Sequence, residues 1–584
     1  MQNRSSVGGD HSSARAVGTI ERMTLRAVPV EASTSLEKTG GVVRAGLVAF
    51  PFLCPLVAGP SVNVWQLLAT WTCVAGLLAV GPAARPVREI WIWLAVGAVA
   101  AMLSRHGESV ASWLPVCAAL TGVAAATCLG AGMVRDRTSC LSLFAIGLLV
   151  AGLVSAVVGL LQYYGLAEPL VPWTTSPPLG QAYGNLRQRN QFATLISMAL
   201  IAALWLYAMH ASPRNRRGLV AAALLLLVAQ AASTSRTGLL QLLSIVGVAS
   251  AIAWRERRNA SESAGRRFSL PPPVVLLATI PLYFAICWGL PHLVGGGVEG
   301  MLQRLEKGAP DDHSRLILWH NVLSLIAERP WTGWGWGELS FAHYSTLYPG
   351  PRFIEILDNA HNLPLHLAVE LGIPAAVLIC GGFIWLVIAA KPWRERDPTR
   401  LMAWGVLAMI VLHSLLEYPL WYGPFQLVFG LCLGMLWPAR SEVRFRAPAL
   451  SAFAASALMV VVVYAGWDYI RISQIYLPRS ERLLAYEDDT LAKLRGSWLF
   501  ARQVDFAEVT LTTVTPANAA RMHELAERTL HFSPEPRVIA KLIESAELLG
   551  REDEVRAQTE RFRIAFPLEF NRWLEDPSGD APAP

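Results

Sequence analysis

The sequence predicts an all-α polytopic membrane protein: a bundle of about thirteen transmembrane helices followed by a small C-terminal helical domain. Three observations carry that reading. The 584 residues are 53% hydrophobic and 16% charged, whereas soluble domains carry roughly 25% charge. Apolar runs of roughly 17–25 residues, the length a helix needs to cross about 30 Å of hydrocarbon, recur along most of the chain. The gaps between them are rich in Lys and Arg on alternate sides only, the asymmetry that marks loops left inside. A single-core soluble fold and a disordered chain are both excluded. The formal net charge of +6 does not mark a nucleic-acid binder, because the basic residues are scattered among short gaps instead of gathered on one face.

Residues 1–40 are rich in Ser, Arg, Gly and Thr and lack an apolar run long enough for a secretory signal, so they are expected to form a disordered cytoplasmic tail. Residues 41–467 form the expected membrane domain. Its spans begin near Val42, Val62, Arg88, Ser109, Ser139, Gln191, Gly218, Thr237, Pro272, Asn362, Leu401, Tyr422 and Pro448. With an internal N-terminus, the inward gaps hold Arg85 and Arg88; Arg135 and Arg137; Arg214, Arg216 and Arg217; Arg255, Arg257, Arg258, Arg266 and Arg267; Lys391, Arg394, Arg396 and Arg400; and Arg440, Arg444 and Arg446. The short outward gaps are almost free of such residues, and a bias sustained over successive loops determines orientation better than any single loop. A large outward loop covers 291–361. Residues 468–584 are polar and fall on the same outer side. Within them Ala519–Leu530, Pro536–Leu549 and Glu552–Ala565 have helical periodicity, Gly550 stands where a helix stops, and the pattern weakly resembles tetratricopeptide-type repeats.

The eight cysteines lie in or beside apolar runs without metal-ligand spacing, and read as small buried hydrophobes. Asp311, Asp312 and His313 are adjacent, so on a helix they would point in different directions; no metal site is expected there.

Four outward segments hold the unusual polar residues. The first, Gly184 to Gln191, carries Asn185, Arg187, Gln188, Arg189 and Asn190 directly into a span. Arginines at such a point are costly unless they face a cavity or an anion, or snorkel to the headgroups. The second, Ser233-Thr234-Ser235-Arg236-Thr237-Gly238, sets one arginine in an otherwise apolar hairpin, either anchoring the turn or facing a ligand. The third is the large loop: Ser314-Arg315-Leu316-Ile317-Leu318-Trp319, then Pro330-Trp331-Thr332-Gly333-Trp334-Gly335-Trp336-Gly337, then Asp358-Asn359-Ala360-His361-Asn362. The Gly/Trp run suits a tight turn with indoles at the interface or stacked on a sugar. His361 takes a proton near neutral pH, as group transfer to a hydroxyl requires; its bland alternative is a bond to Asp358. His366, five residues on, reads as structural. The fourth segment, His413 to Tyr422, holds Glu417, Tyr418 and Tyr422; Glu417 either touches substrate, orients an arginine, or pairs with Arg236 to join two hairpins. Together these residues favour a site at the outer interface for an anionic lipid headgroup, since the guanidinium fork matches a diphosphate.

The stretches Gly-Asn-Leu-x-Gln-x-Asn-Gln at Gly184, Ser-Arg-Thr-Gly at Ser235, Ser-Arg-x-x-x-Trp at Ser314, Pro-x-x-Gly-x-Gly at Pro330, Asp-Asn-Ala-His-Asn at Asp358 and Glu-Tyr-Pro-Leu-Trp at Glu417 resemble the O-antigen ligase and polymerase superfamily. Within it, they resemble the PglL-type bacterial protein O-oligosaccharyltransferases, which carry a similar appended helical domain. The resemblance implies a GT-C-like fold in the bacterial inner membrane with its active site facing the periplasm. It implies en bloc transfer of a preassembled oligosaccharide from undecaprenyl diphosphate to Ser or Thr hydroxyls of a periplasmic protein such as a pilin, with membrane lipids as surroundings, no cofactor, no metal and no nucleic acid. His361 would be the catalytic histidine. Arg187, Arg189, Arg236 and Arg315 would bind the donor diphosphate; Asn185, Gln188, Asn190, Asp358, Asn362, Glu417, Tyr418 and Tyr422 would position substrate. Relatives often have Gly-Gln-Pro-Asn-His where this chain has Arg187-Gln188-Arg189-Asn190-Gln191, which leaves open which arginine faces the donor. The alternatives are an O-antigen ligase acting on lipid A-core, a polymerase, and a lipid-linked glycan transporter. The last would place its charges near the membrane midplane, not at one interface.

Overall fold

The computed structural model describes residues 35–56, 63–103, 114–135, 139–209, 212–258, 269–294, 298–307, 315–439 and 448–575. Among them there is no β-strand, only an isolated bridge between Pro86 and Pro438. A helix stands at every expected span: α1 (Ser35–Leu53), α2 (Val64–Val80), α3 (Arg88–Leu103), α4 (Leu114–Arg135), α5 (Ser139–Tyr163), α6 (Arg189–Met209), α7 (Pro213–Ala232), α8 (Arg236–Arg258) and α9 (Pro273–His292). After the large loop with α10 (Met301–Lys307), α11 (Arg315–Glu328), α12 (Leu339–Ser345) and α13 (Leu363–Leu371), four further apolar segments follow. They are α14 (Ile373–Ala376) joined through a π-helical turn to α15 (Gly382–Ala390), then α16 (Pro398–Ser414), α17 (Gly423–Leu436) and α18 (Pro448–Ser473). Among the described residues, eight helices are long and apolar enough to cross a membrane, and three shorter apolar helices accompany them. The chain is an all-α, multi-pass membrane protein. The helix of α1 starts at Ser35, ahead of the expected tail boundary, and α18 runs through Asp468 to Ser473 before the outer domain begins.

The helices α4 and α17 form the tightest pair. In lipid, apolar surface alone does not drive helices together, so association depends on close packing of small residues. Gly430 and Gly434, four apart on α17, supply it: a Cβ on Gly434 would lie 2.0 Å from the carbonyl oxygen of Thr127, and one on Gly130 of α4 would lie 2.1 Å from that of Leu431. All residues of α17 are buried. With fourteen residues it is about 21 Å long, shorter than the hydrocarbon, so the turn that feeds it from Glu417 to Tyr422 is set into the bundle.

At one end of the bundle, Arg44 of α1 and arginines of the expected inner loops bond backbone carbonyls. Arg44 Nε donates to the Val80 carbonyl at 3.0 Å, Arg400 Nη1 to Leu436 at 2.7 Å, and Arg257 Nη2 to Leu270 at 3.2 Å. The first two satisfy orphan carbonyls at helix C-termini, where positive charge is favoured. The opposite end collects the four unusual polar segments.

An outer layer covers that second end. Leu318, Val322 and Leu325 of α11 pack with Trp334, Leu339 and Ala342, with Leu357 and Ala360, and with Leu367, Val369 and Leu371 of α13. The span expected from Asn362 therefore begins later, at Ile373: α13 belongs to the outer layer, and Gly372 at φ +83° breaks the chain between them. The Gly/Trp run serves this joint. Trp334 N and Gly335 N donate to the carbonyls of Val369 and Glu370, each at 2.9 Å, and a Cβ on Gly333 would sit 2.3 Å from the Glu370 oxygen. The indoles divide: Trp334 is buried with Nε1 on the Leu325 carbonyl, Trp336 stacks on Trp421, and Trp331 is exposed.

The C-terminal domain contains α19 (Thr490–Leu494), α20 (Ala501–Leu511), α21 (Ala519–Phe532), α22 (Pro536–Leu548), α23 (Glu552–Ala565) and α24 (Pro567–Glu575). Three of these coincide with the helices read from periodicity, and Gly550 adopts φ +72° where a helix was expected to end. Val538, Leu542, Leu525 and Phe562 form its core together with Tyr344 of α12, which ties it to the outer layer. Tyr344 Oη donates to Gln558 Oε1 at 2.9 Å, and His531 Nδ1 lies 2.7 Å from Glu338 Oε2.

Candidate active site

Glu417, in the turn between α16 and α17, is the centre of the outer face. Its Oε1 accepts from Asn190 Nδ2 at 2.6 Å and from Arg315 Nη2 at 2.7 Å; its Oε2 accepts from Gln188 Nε2. His413 Nε2 lies one helical turn back, 3.9 Å from Oε2. Three of the four segments thus meet on one carboxylate. Burial alone would raise the Glu417 pKa, but His413, the Arg315 guanidinium and His361 outweigh it and hold it at about 2. The alternative pairing with Arg236 does not occur: Arg315 takes that position.

His361 sits at the junction between the outer layer and α13, with φ +49°, a costly conformation for a residue with a Cβ. Two bonds hold it there. Asn359 Oδ1 accepts from His361 N at 2.9 Å, and Trp319 Nε1 donates to the Ala360 carbonyl at 3.0 Å. Arg315 and Trp319 are four apart on α11 and share one face. That spacing lets one helix reach both Glu417 and the backbone of His361, a physical reason for Ser-Arg-x-x-x-Trp. The His361 ring meets Tyr418 edge-on at 5.1 Å, and Tyr418 stacks on Tyr422. Burial pushes the imidazole below its ordinary 6.5, Arg315 adds to this, and Glu417 acts in the other direction. It is therefore neutral at pH 7, and its Nδ1 is buried without a hydrogen-bond partner among the described residues. A neutral imidazole with an open nitrogen can accept a proton.

A second cluster surrounds Thr234, itself at φ +50°. Arg189 Nη1 donates to Thr234 Oγ1 at 3.2 Å, and Arg304 Nη1 to both Thr234 O and Oγ1 at 3.2 Å. Arg236 donates to the Arg304 carbonyl. Ser235 Oγ donates to Asn190 Oδ1, so the cationic turn and the Glu417 hub share one side chain.

Other expected site residues have different surroundings. Asn185 Nδ2 bonds the carbonyls of Leu53 and Trp173, fastening the loop to α1. Asn362 caps α13, accepting from Leu365 N at 3.1 Å and donating to the Leu415 carbonyl. Arg187 is exposed at φ +58°, and Asp358 is exposed; the bond that holds His361 comes from Asn359. His366 is buried against Glu370 at 3.4 Å, as a structural residue would be. Sequence reading missed Arg304, Asn359 and the hydrogen-bonding role of Trp319. Asp311, Asp312 and His313 lie outside the described residues. Among those described, His523, Glu527 and Glu554 of the C-terminal domain are within metal-ligand reach of one another. Arg551 Nη1 approaches His523 Nε2 at 2.6 Å and supplies the positive charge there.

Fold and candidate site together define a polytopic membrane protein with arginines, a histidine and a carboxylate gathered at one end of its helical bundle. Comparison with known proteins agrees with the motif resemblance. Residues 220–380 match the family described as O-Antigen ligase, residues 182–207 that described as Protein glycosylation ligase, and residues 401–578 that described as Virulence factor membrane-bound polymerase, C-terminal. The chain is 26% identical over 316 residues to a General O-oligosaccharyltransferase of Acinetobacter baylyi, covering 52% of this chain and 51% of that protein. It is 24% identical over 257 residues to a ComP-specific O-oligosaccharyltransferase of the same organism, covering 44% of each. The chain thus spans about half the length of the curated relatives it matches.

Proposed function

We propose that this protein is an oligosaccharyltransferase of the bacterial inner membrane, moving a preassembled glycan from undecaprenyl diphosphate to a Ser or Thr hydroxyl of a periplasmic protein such as a pilin. The observation that carries this reading is the neutral His361 imidazole beside the Glu417–Arg315 pair, which Asn190 links to the α7–α8 turn with Arg189 and Arg236. The acceptor hydroxyl oxygen attacks the anomeric carbon while its proton passes to His361. The bond from that carbon to the diphosphate oxygen breaks, and undecaprenyl diphosphate leaves with the electron pair. In-line attack inverts the anomeric configuration. Diphosphate is a good leaving group, so the chemistry asks mainly for charge neutralisation, which guanidinium groups provide, and for a base. Glu417, ionised throughout, balances Arg315 in the resting state and the imidazolium as it forms.

The test is glycan transfer by purified protein in lipid, with undecaprenyl-diphosphate glycan and a pilin-like acceptor. His361→Ala is expected to lower the rate at least about 100-fold without changing the unfolding temperature. The wild-type rate should fall with acidification through a pKa below 6.5, the direction in which burial moves His361. Undiminished transfer by the alanine variant would overturn this mechanism. The match of residues 220–380 to the O-Antigen ligase description favours a second reading, with lipid A-core as acceptor. Under it, lipid A-core is consumed and the protein acceptor is ignored when both are offered.

A further inference from the structure

The short helix α10 is the part of the outer face that the reaction above leaves unused. Its Arg304 reaches across to the α7–α8 turn and donates to Thr234 O and Oγ1, both at 3.2 Å, beside Arg189, which donates to the same hydroxyl. Arg236, at the start of α8, closes the group by bonding the Arg304 carbonyl. Three guanidinium groups therefore converge on one turn and are satisfied by uncharged oxygens. Glu299, the carboxylate that acts electrostatically on Arg189 and Arg304, is engaged by Lys307 at 3.1 Å. Like charges gathered with neutral partners at a membrane face are expensive unless an anion is bound there. Thr234 adds to the cost: a β-branched residue at φ +50° is strained, and such strain collects at functional positions.

We propose that Arg304 is a third guanidinium ligand of the donor diphosphate, exchanging the two Thr234 oxygens for phosphate oxygens when the lipid-linked donor binds between α10 and the α7–α8 turn. The assignment rests on the donor reading given above. The exchange is favourable because a guanidinium bonded to a neutral oxygen has charge on one side only, whereas phosphate oxygens bring the opposite charge and match its fork with two parallel bonds. It also divides the labour of the outer face. Arg189, Arg236 and Arg304 hold the diphosphate, while Arg315, bound to Glu417, keeps the base in register. Asn190, bonded to both Ser235 and Glu417, joins the two halves, so filling the first is felt at the second.

Binding of undecaprenyl diphosphate to the full-length protein in nanodiscs, measured without any acceptor, tests this directly. Arg304→Gln should weaken binding about 10- to 100-fold, the loss expected for charge-assisted hydrogen bonds, with an unchanged unfolding temperature. Should that variant unfold early, the wild-type protein decides: saturating undecaprenyl diphosphate should protect Arg304 from phenylglyoxal. Wild-type-like affinity in a stably folded Gln variant, or absence of protection, overturns the role of Arg304 and leaves the donor reading standing. Wild-type protein that does not bind undecaprenyl diphosphate removes both. Equal competition by phosphatidylglycerol would make this a general lipid-phosphate site and overturn the donor assignment.

Discussion

Glu417 shows how much of the outer face rests on one side chain. Its two oxygens receive Gln188, Asn190 and Arg315 from three separate parts of the chain. Removing the carboxylate leaves the amides of Gln188 and Asn190 without their acceptor, whereas the Arg315 side chain, 38% exposed, is already reached by water and loses less. We therefore expect Glu417→Ala to lower stability by about 1–2 kcal/mol in denaturant unfolding. The pH dependence follows in sign from its depressed pKa. The carboxylate's contribution is complete above the ordinary 4.5 and is lost as pH falls from there toward about 2. Wild-type unfolding that is equally easy for the Ala variant across that window would deny Glu417 this role. Residues of this kind stand out in the sequence: Glu417 and Arg236 interrupt apolar runs, and His361 lies in the polar stretch Asp358-Asn359-Ala360-His361-Asn362. Arg304 does not. It sits in Arg304-Leu305-Glu306-Lys307, whose mixed charge reads as a solvated helix face, and only the approach of α10 to Thr234 distinguishes it.

At the scale of elements, α11 acts as a gauge between Glu417 and His361. One helical turn separates Arg315, on Glu417, from Trp319, on the carbonyl preceding His361. Helix geometry keeps that separation constant, so the imidazole and the carboxylate cannot drift apart without breaking one bond or the other. Trp319→Phe keeps the apolar contact and removes only the N–H. It should lower kcat about 10-fold, the equivalent of one neutral hydrogen bond, while leaving the donor and acceptor KM unchanged in steady-state transfer. An equal rise in both KM values with unchanged kcat would assign Trp319 to binding instead. The motif spacing was visible in sequence, but its purpose was not. The same holds for the Gly/Trp run, whose glycines permit the backbone of 330–337 to lie on α13. From composition the indoles were the conspicuous feature; in three dimensions the missing Cβ of Gly333 matters most, because the Glu370 carbonyl occupies the space it would fill.

The whole molecule has two unlike ends. Arginines on helix C-termini mark one; the recessed site, the outer layer and the C-terminal domain make the other. Tyr344 is shared between the core of that domain and α12, so the domain is held against the loop that carries His361. A thiol introduced by Asp358→Cys should react with a membrane-impermeant reagent added from the periplasmic side of cells, and one introduced by Arg257→Cys should not. The reverse pattern would turn the molecule over and place the site on the cytoplasmic face. The sequence leads one to expect the periplasmic orientation through sums over many residues, the apolar length of each span and the charge of each loop, and such sums survive small errors of boundary. The boundary errors that did occur, at Ser35, at Asn362 and at Asp468, lie where a helix continues or pauses for reasons of packing.

By itself, then, the sequence determined the class of fold, where along the chain the apolar helices stand, and a pool of polar residues from which the candidate site is drawn. Tertiary structure alone decided which of them meet. Arg315 and Glu417 are 102 residues apart and Asn190 and Glu417 are 227 apart, distances over which local periodicity carries no information. What brings them together is the close approach of helices such as α4 and α17, and that depends on shapes matching across the bundle.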